Sequence, residues 1–414
     1  MFIKMIKFIL IFVLLFSVRT SDANELGKKI SHLELTLSKN LHSTLNEIEL
    51  LSPRFDENSP YFSRFHNLAG YGYILAGDYT KAFEHLANSE MNADKNNNLY
   101  ELAESLRFQA IIYTTTNLQN ESLPLFIKAL SIHKEINSEK VTNTLQGISL
   151  YYRNLENYTK YLEYGQLLLA HPNIKKQPQL RGIAQYTVGE GLLKLEKLDE
   201  AEIYLNKSID TLNSISSILT SEAFISLAEL EVKRENYRKA LDILQESQEN
   251  AKANNYGIAN SQRKLLEAST YFKMGQLEIA KRAYLALIKT STTELTTLQK
   301  ANQQLANIYE QQNDFLNANI HLRKFIEINI RLTNDSQKTK ASFYNARLNL
   351  EHKEQKISQL EAAKALQQLE LAQKEKTEQL RDSILALLVI ILISLIYYVI
   401  HAKRTKNQMK ALAQ

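Results

Sequence analysis

Gly70-Tyr71-Gly72-Tyr73-Ile74-Leu75-Ala76-Gly77-Asp78-Tyr79-Thr80-Lys81-Ala82 sets a spacing that returns down the chain. Steps of 38 to 40 residues from Ala82 land on Ser122, Tyr161, Ala201, Ala240, Ala280 and Ala318. Twelve residues before each of these anchors stand Gly70, Ala110, Ser149, Gly189, Ala228, Ala268 and Ala306, all of them small. Three residues after each small residue come Tyr73, Tyr113, Tyr152, Leu192, Glu231, Tyr271 and Tyr309. Three before each anchor come Tyr79, Gln119, Tyr158, Leu198, Tyr237, Leu277 and Phe315. Agreement in phase at four positions over seven cycles predicts a repeat architecture. The physical basis is helix-hairpin packing. A small residue on the first helix admits the second helix closely, and large residues fill the space between hairpins. No hairpin buries its apolar face alone, so each depends on its neighbours.

At these positions the chain resembles the tetratricopeptide repeat (TPR) family. Its small-x2-Tyr, Gly-x-Tyr turn and second-helix Ala match Gly70-x2-Tyr73, Gly77-Asp78-Tyr79 and Ala82. The resemblance covers residues 61–330 and implies an all-α, right-handed TPR-like α-solenoid. Two features depart from the family: the chain has no Trp, and the period exceeds the usual ~34 residues. Repeat three is the weakest, with Tyr161 at the anchor and Gly165 where a large apolar residue is expected.

The resemblance also implies a groove along the first helices that takes a protein or peptide ligand. Carried over by phase, that face holds Arg64, Asn67, Arg107, Asn143, Gln146, Arg153, Tyr186, Glu190 and Lys194, with Ile225 and Leu265 further along. Three arginines among amides suit a carboxylate or backbone groups. The same residues also read as an ordinary solvated helix face.

The formal net charge is +5, but it belongs to the ends. Lys4, Lys7 and Arg19 lie near the start, and Lys403, Arg404, Lys406 and Lys410 near the finish. The body between them is close to neutral, so no nucleic-acid partner is expected. The absence of cysteine excludes disulfides, thiol catalysis and lipoprotein attachment. All five prolines fall at or before Pro178, which suits long uninterrupted helices beyond it. Pro124 is expected near the start of a second helix.

Around the repeats the chain divides readily. Residues 1–23 read as a signal peptide: Lys4 and Lys7, an apolar run from Phe8 to Val18, then Ser21-Asp22-Ala23. An uncleaved anchor is the other reading of that segment. Residues 24–60 carry Ile30, Leu33, Leu37, Leu41, Leu45, Ile48 and Leu51 at helical spacing. They predict capping helices, as one helix or as a hairpin broken near Asn40. From 331 to 382 the repeat phase gives way to a long charged stalk helix. Its heptads are only half apolar, so it offers at most a weak coiled coil and a weak homodimer. Residues 383–400 are charge-free and aliphatic, long enough for a transmembrane helix of roughly 27 Å. Residues 401–414 form a basic tail, which the positive-inside rule assigns to the cytoplasm.

Catalytic patterns are weak. The nine histidines show no metal-ligand spacing. Gly189-Glu190-Gly191 falls at a helix-packing position rather than in a phosphate loop. Ser131-x2-Lys134 and Ser261-x2-Lys264 lack the companion motifs of Ser/Lys hydrolases. No enzymatic activity and no cofactor or metal is expected. The whole layout resembles bacterial TPR-containing membrane sensors. It implies a single-pass inner-membrane protein with periplasmic repeats and a cytoplasmic C-terminus, acting as a protein- or peptide-binding receptor or scaffold in signalling. The alternative is the sensory half of a diguanylate cyclase or histidine kinase whose output domain is missing or separately encoded. No Gly-Gly-Asp/Glu-Glu-Phe motif is present, so no cyclase activity carries over.

Overall fold

The computed structural model describes residues 25–412 except 38, 218, 255–256 and 291–292, so the expected signal peptide lies outside the described residues. Helix α1 (25–37) and helix α2 (Leu41–Leu51) form a hairpin ahead of the repeats. Seven helix pairs follow. They are α3 (Phe62–Ala76) with α4 (Tyr79–Lys95), α5 (Leu99–Thr115) with α6 (Gln119–Glu135), and α7 (Val141–Asn154) with α8 (Tyr158–Ala170). Next come α9 (Pro178–Lys194) with α10 (Leu198–Asn213), and α11 (Thr220–Lys233) with α12 (Tyr237–Asn254). Then come α13 (Gly257–Lys273) with α14 (Leu277–Ile288), and α15 (Leu295–Gln311) with the start of α16 (Phe315–Leu412). The chain forms two compact units divided between Ala346 and Arg347.

The turn inside each pair is made the same way seven times. Five residues before each anchor, Gly77, Asn117, Glu156, Glu196, Glu235, Gly275 and Asn313 all have positive φ, between 55° and 77°. The next residue donates its N–H back to the carbonyl of the large residue near the helix end. Examples are Asp78 to Tyr73 at 3.0 Å, Leu118 to Tyr113 at 2.8 Å and Asp314 to Tyr309 at 2.8 Å. This six-to-one bond satisfies a carbonyl that the ending helix leaves open. Where that next residue is Asp78, Asn157 or Asp314, its side chain also caps the second helix, accepting from Lys81, Lys160 or Asn317 N–H.

Packing follows the small-residue rule. A Cβ on Gly70 would stand 2.6 Å from Leu86, and one on Gly189 3.0 Å from the backbone nitrogen of Leu205. Anchors Ala82, Ser122, Tyr161, Ala201, Ala240 and Ala280 are fully buried. Repeat three keeps its packing by exchanging sizes. Tyr161 fills the anchor site, its hydroxyl donating to Glu190 Oε2 at 2.7 Å. The room that Gly165 leaves is taken by Thr187 and Val188 of α9, against which a Cβ would stand 2.6 Å and 3.3 Å away. Glu231, the acidic exception among Tyr and Leu, is fully buried and accepts from Asn236 at 2.8 Å and Lys239 at 2.8 Å. Pro124 lies inside α6, beyond its first turn.

The hairpin α1–α2 covers the first repeat through Leu26, Ile30, Leu33, Leu37, Leu45 and Ile48, which join Phe65, Tyr73 and Leu86 in one core. At the other end Phe315 and Leu316 are 65% and 75% exposed, and no further hairpin among the described residues stacks on them. The stalk and the apolar segment lie on one long C-terminal helix. The second helix of repeat seven runs on without a break as α16 to Leu412. The compact repeat unit extends to Ala346, so the first third of the expected stalk belongs with the repeats. The physical reason is that residues 315–412 include no Pro or Gly to end a helix.

Candidate partner groove

Two open cavities lie along the first helices of the pairs. The first, about 910 Å³, is walled by α1, α3, α5 and α7. The second, about 430 Å³, is walled by α7, α9, α11, α13 and α15. Arg64, Asn67, Arg107, Asn143 and Gln146 line the first, whereas Arg153, Tyr186, Glu190 and Lys194 line the second together with Ile225 and Leu265. The phase of the repeat therefore gathers these side chains on one series of helices, split between two cavities.

The arginines do not stand free. Arg64 makes two hydrogen bonds to Glu34, at 2.9 and 2.7 Å. Arg107 pairs with Glu104 on its own helix, at 2.8 and 2.7 Å. His133 Nε2 lies 3.2 Å from the same carboxylate. Burial alone would raise the Glu104 carboxyl, but the Arg107 charge and these hydrogen bonds hold it well below the usual carboxylate range. Arg107 also lies over the Phe108 ring at 4.0 Å. Arg153 binds Glu190 at 2.6 and 3.2 Å, and donates to the Tyr186 hydroxyl at 3.4 Å. Lys194 pairs with Glu229 at 2.7 Å. An arginine clamp on a ligand carboxylate is therefore not what the fold provides. Each guanidinium already has a carboxylate, since burial without one costs several kcal/mol.

The groups left over are acceptors, and sequence phase alone did not find them all. Asn67 spends its amide N–H groups on Glu101, reaching the backbone carbonyl at 2.9 Å and Oε2 at 2.8 Å. Its own Oδ1 is buried without a partner among the described residues. Glu101 is 8% exposed and has no ion pair among them. Burial raises its carboxyl, the Asn67 bond opposes that, and the nearby Glu104 charge adds to it. In the second cavity Glu222 is likewise raised by burial. Glu101 was legible as the third residue of a helix capped by Asn98, which accepts from the Glu101 N–H at 3.3 Å. Its place in the groove was not.

Among the described residues no cluster of three or more His, Asp or Glu side chains is arranged to hold a metal ion. His66 and His85 are joined Nδ1 to Nδ1 at 2.9 Å. Burial lowers them to about 3 and about 4, so this pair is neutral at ordinary pH.

No protein-family model matches this sequence, and no curated protein matches it significantly. Solved structures do match the fold. The apo form of the quorum sensor NprR from B. thuringiensis aligns with a TM-score of 0.61 at 16% identity, over 73% of this chain and 86% of that one. A Rap protein complexed with Competence and Sporulation Factor aligns at 0.57 and 18% identity, over 76% and 86%. The apo form of RapI aligns at 0.54 and 16% identity, over 66% and 99%. At these identities the likeness concerns fold. The helix pairs, their left-handed turns and these neighbours together make the repeat region a tetratricopeptide-repeat-like α-solenoid.

Proposed function

We propose that this chain is a membrane-anchored receptor or scaffold whose first groove binds an extended segment of a protein or peptide partner. The observation that carries this is the groove floor. Asn67 and Glu101 line a cavity of about 910 Å³ in which, among the described residues, Asn67 Oδ1 has no partner, Asn67 is the side-chain donor to the Glu101 carboxylate, and Arg64 and Arg107 are already paired with Glu34 and Glu104. Acceptors short of donors are costly to bury, and the N–H groups or ammonium of an extended chain supply further ones. The Rap structure supports the reading, since a similar fold there is complexed with Competence and Sporulation Factor.

The anchoring part rests on α16. Among the described residues it is the one helix long and apolar enough to cross a membrane, with mean hydropathy 2.9 over its best window. Lys403 and Arg404 follow the apolar run and favour a cytoplasmic C-terminus, with the repeats exported. A reporter fused after Gln414 is expected to behave as cytoplasmic, and one inserted near residue 340 as exported; the reverse pattern would sink the topology. Binding is tested by placing a photo-crosslinking residue at Leu150 in the groove, or at Ile203 outside both cavities, in the full chain in cells. Adducts to a discrete polypeptide are expected from Leu150 alone. Equal labelling from both sites would overturn the groove assignment.

A further inference from the structure

Helix α16 has a second seat, far from its own repeat. It is tied to repeat seven by His321 Nδ1 to Asn302 Oδ1 at 2.9 Å and by Gln299 to Asn329 at 3.0 Å. Residues 333–338 are then wholly exposed. Contact resumes at Phe343, fully buried, and Ala346, 5% exposed. The Phe343 ring meets Phe83 edge-on at 5.0 Å and Tyr113 edge-on at 5.2 Å. Beside it Ser342 Oγ lies 3.1 Å from Thr80 Oγ1, a hydrogen bond across 262 positions of sequence. Phe83 and Thr80 belong to α4, and Tyr113 to α5, so the seat is built where repeats one and two meet.

We propose that residues 339–346 are a strap that closes the solenoid on itself, fixing repeats one and two at a set distance from repeat seven. A helix rises 1.5 Å per residue, so the ~22 residues from His321 to Phe343 act as a strut of about 33 Å. Any change in the curl of the repeats must either bend that strut or lift Phe343 from its seat. The seat shares α5 with the first groove: Tyr113 packs against Phe343, and Thr114 and Thr115 line the cavity. Strap position and groove width are therefore one mechanical variable. Past the exposed stretch the contacts that seat the helix include the Phe343 ring, Ala346 and the Ser342–Thr80 hydroxyl pair. The proposal concerns the solenoid itself and does not depend on what the groove binds.

The chain lacks cysteine, which makes the test direct. Thr80→Cys and Ser342→Cys are introduced into the full chain in detergent micelles, and a short bis-maleimide is added. A rapid intramolecular crosslink, migrating as a monomer, is expected. Adding Phe343→Ala should slow it at least about tenfold, and Phe343→Leu should restore much of the rate. Helicity by circular dichroism should be unchanged in all three. Absence of a monomeric crosslink, or a rate indifferent to Phe343→Ala, would overturn the strap. So would loss of helicity in Phe343→Ala, which would make Phe343 a core residue of the repeats rather than a separable contact.

Discussion

Two groove arginines, one in each cavity, are neutralised in different ways. In the first, Arg107 and Glu104 sit three residues apart on α5, each about 9% exposed. In the second, Arg153 of α7 reaches Glu190 of α9, leaving its own side chain 41% exposed. One pair is local and enclosed; the other is a tie between adjacent repeats with one end in water. The difference teaches where a charge can be removed. A buried partner left alone has no water to fall back on, whereas a half-exposed tie leaves its carboxylate within reach of other donors.

The largest expected effect therefore belongs to Arg107→Ala. It removes the guanidinium that offsets the buried Glu104 charge, leaving His133 Nε2 at 3.2 Å beside it, and should cost about 3–5 kcal/mol of stability, read as a large fall in the midpoint of thermal or denaturant unfolding. A change smaller than that of Arg153→Ala would break the comparison. The Glu104 carboxyl is held below its ordinary value of 4.5, so the pair stabilises the fold above that value and loses its effect as pH falls through the lowered one.

Arg153→Ala comes next, at about 1–2 kcal/mol, because Glu190 keeps the Tyr161 hydroxyl as a donor. Adding Tyr161→Phe should cost more than the two changes separately, since the carboxylate then loses both partners. Simple additivity in that double-mutant cycle would show that the two donors act independently.

A third effect has the opposite sign. Glu101 has a raised carboxyl, so its charge is a penalty above the raised value and the penalty fades as pH falls through it. Glu101→Gln should match or exceed the parent's stability at neutral pH, and the advantage should shrink on acidification. A clear destabilisation by Glu101→Gln at neutral pH would mean that its charge serves the fold.

The smallest effects lie in the turns. Glu156, Glu196 and Glu235 hold positive φ of 55°, 60° and 64°, a region that suits glycine. Replacing each with Gly should add roughly 0.5–1 kcal/mol, and the gains should sum because the turns are far apart.

Much of this architecture is legible in the amino-acid sequence. The anchors, the small residues and the large residues three positions later mark all seven pairs, because close helix packing leaves few residue types at those positions. The left-handed turn was legible only where it is glycine, at Gly77 and Gly275. Elsewhere Asn or Glu occupies it, held by the six-to-one bond rather than by its own preference. The faces of the groove could be phased from the repeat, yet the pairing of Arg64 with Glu34 and of Arg153 with Glu190 could not. Those partners lie 30 and 37 residues away and depend on how one repeat is set against the next. The Phe343 seat was invisible for the same reason. A helical stretch of mixed polarity gives no sign that a single ring returns to the first repeats.

The central claim is that buried acceptors, not arginines, receive the partner in the first groove. It is tested most directly with the Leu150 photo-crosslinking chain, comparing the parent with an Asn67→Ala, Glu101→Gln variant and following the adduct and the thermal melt together. Loss of the adduct with the melt retained is the predicted result. An adduct that persists undiminished, or one that disappears only as the repeats unfold, would contradict it.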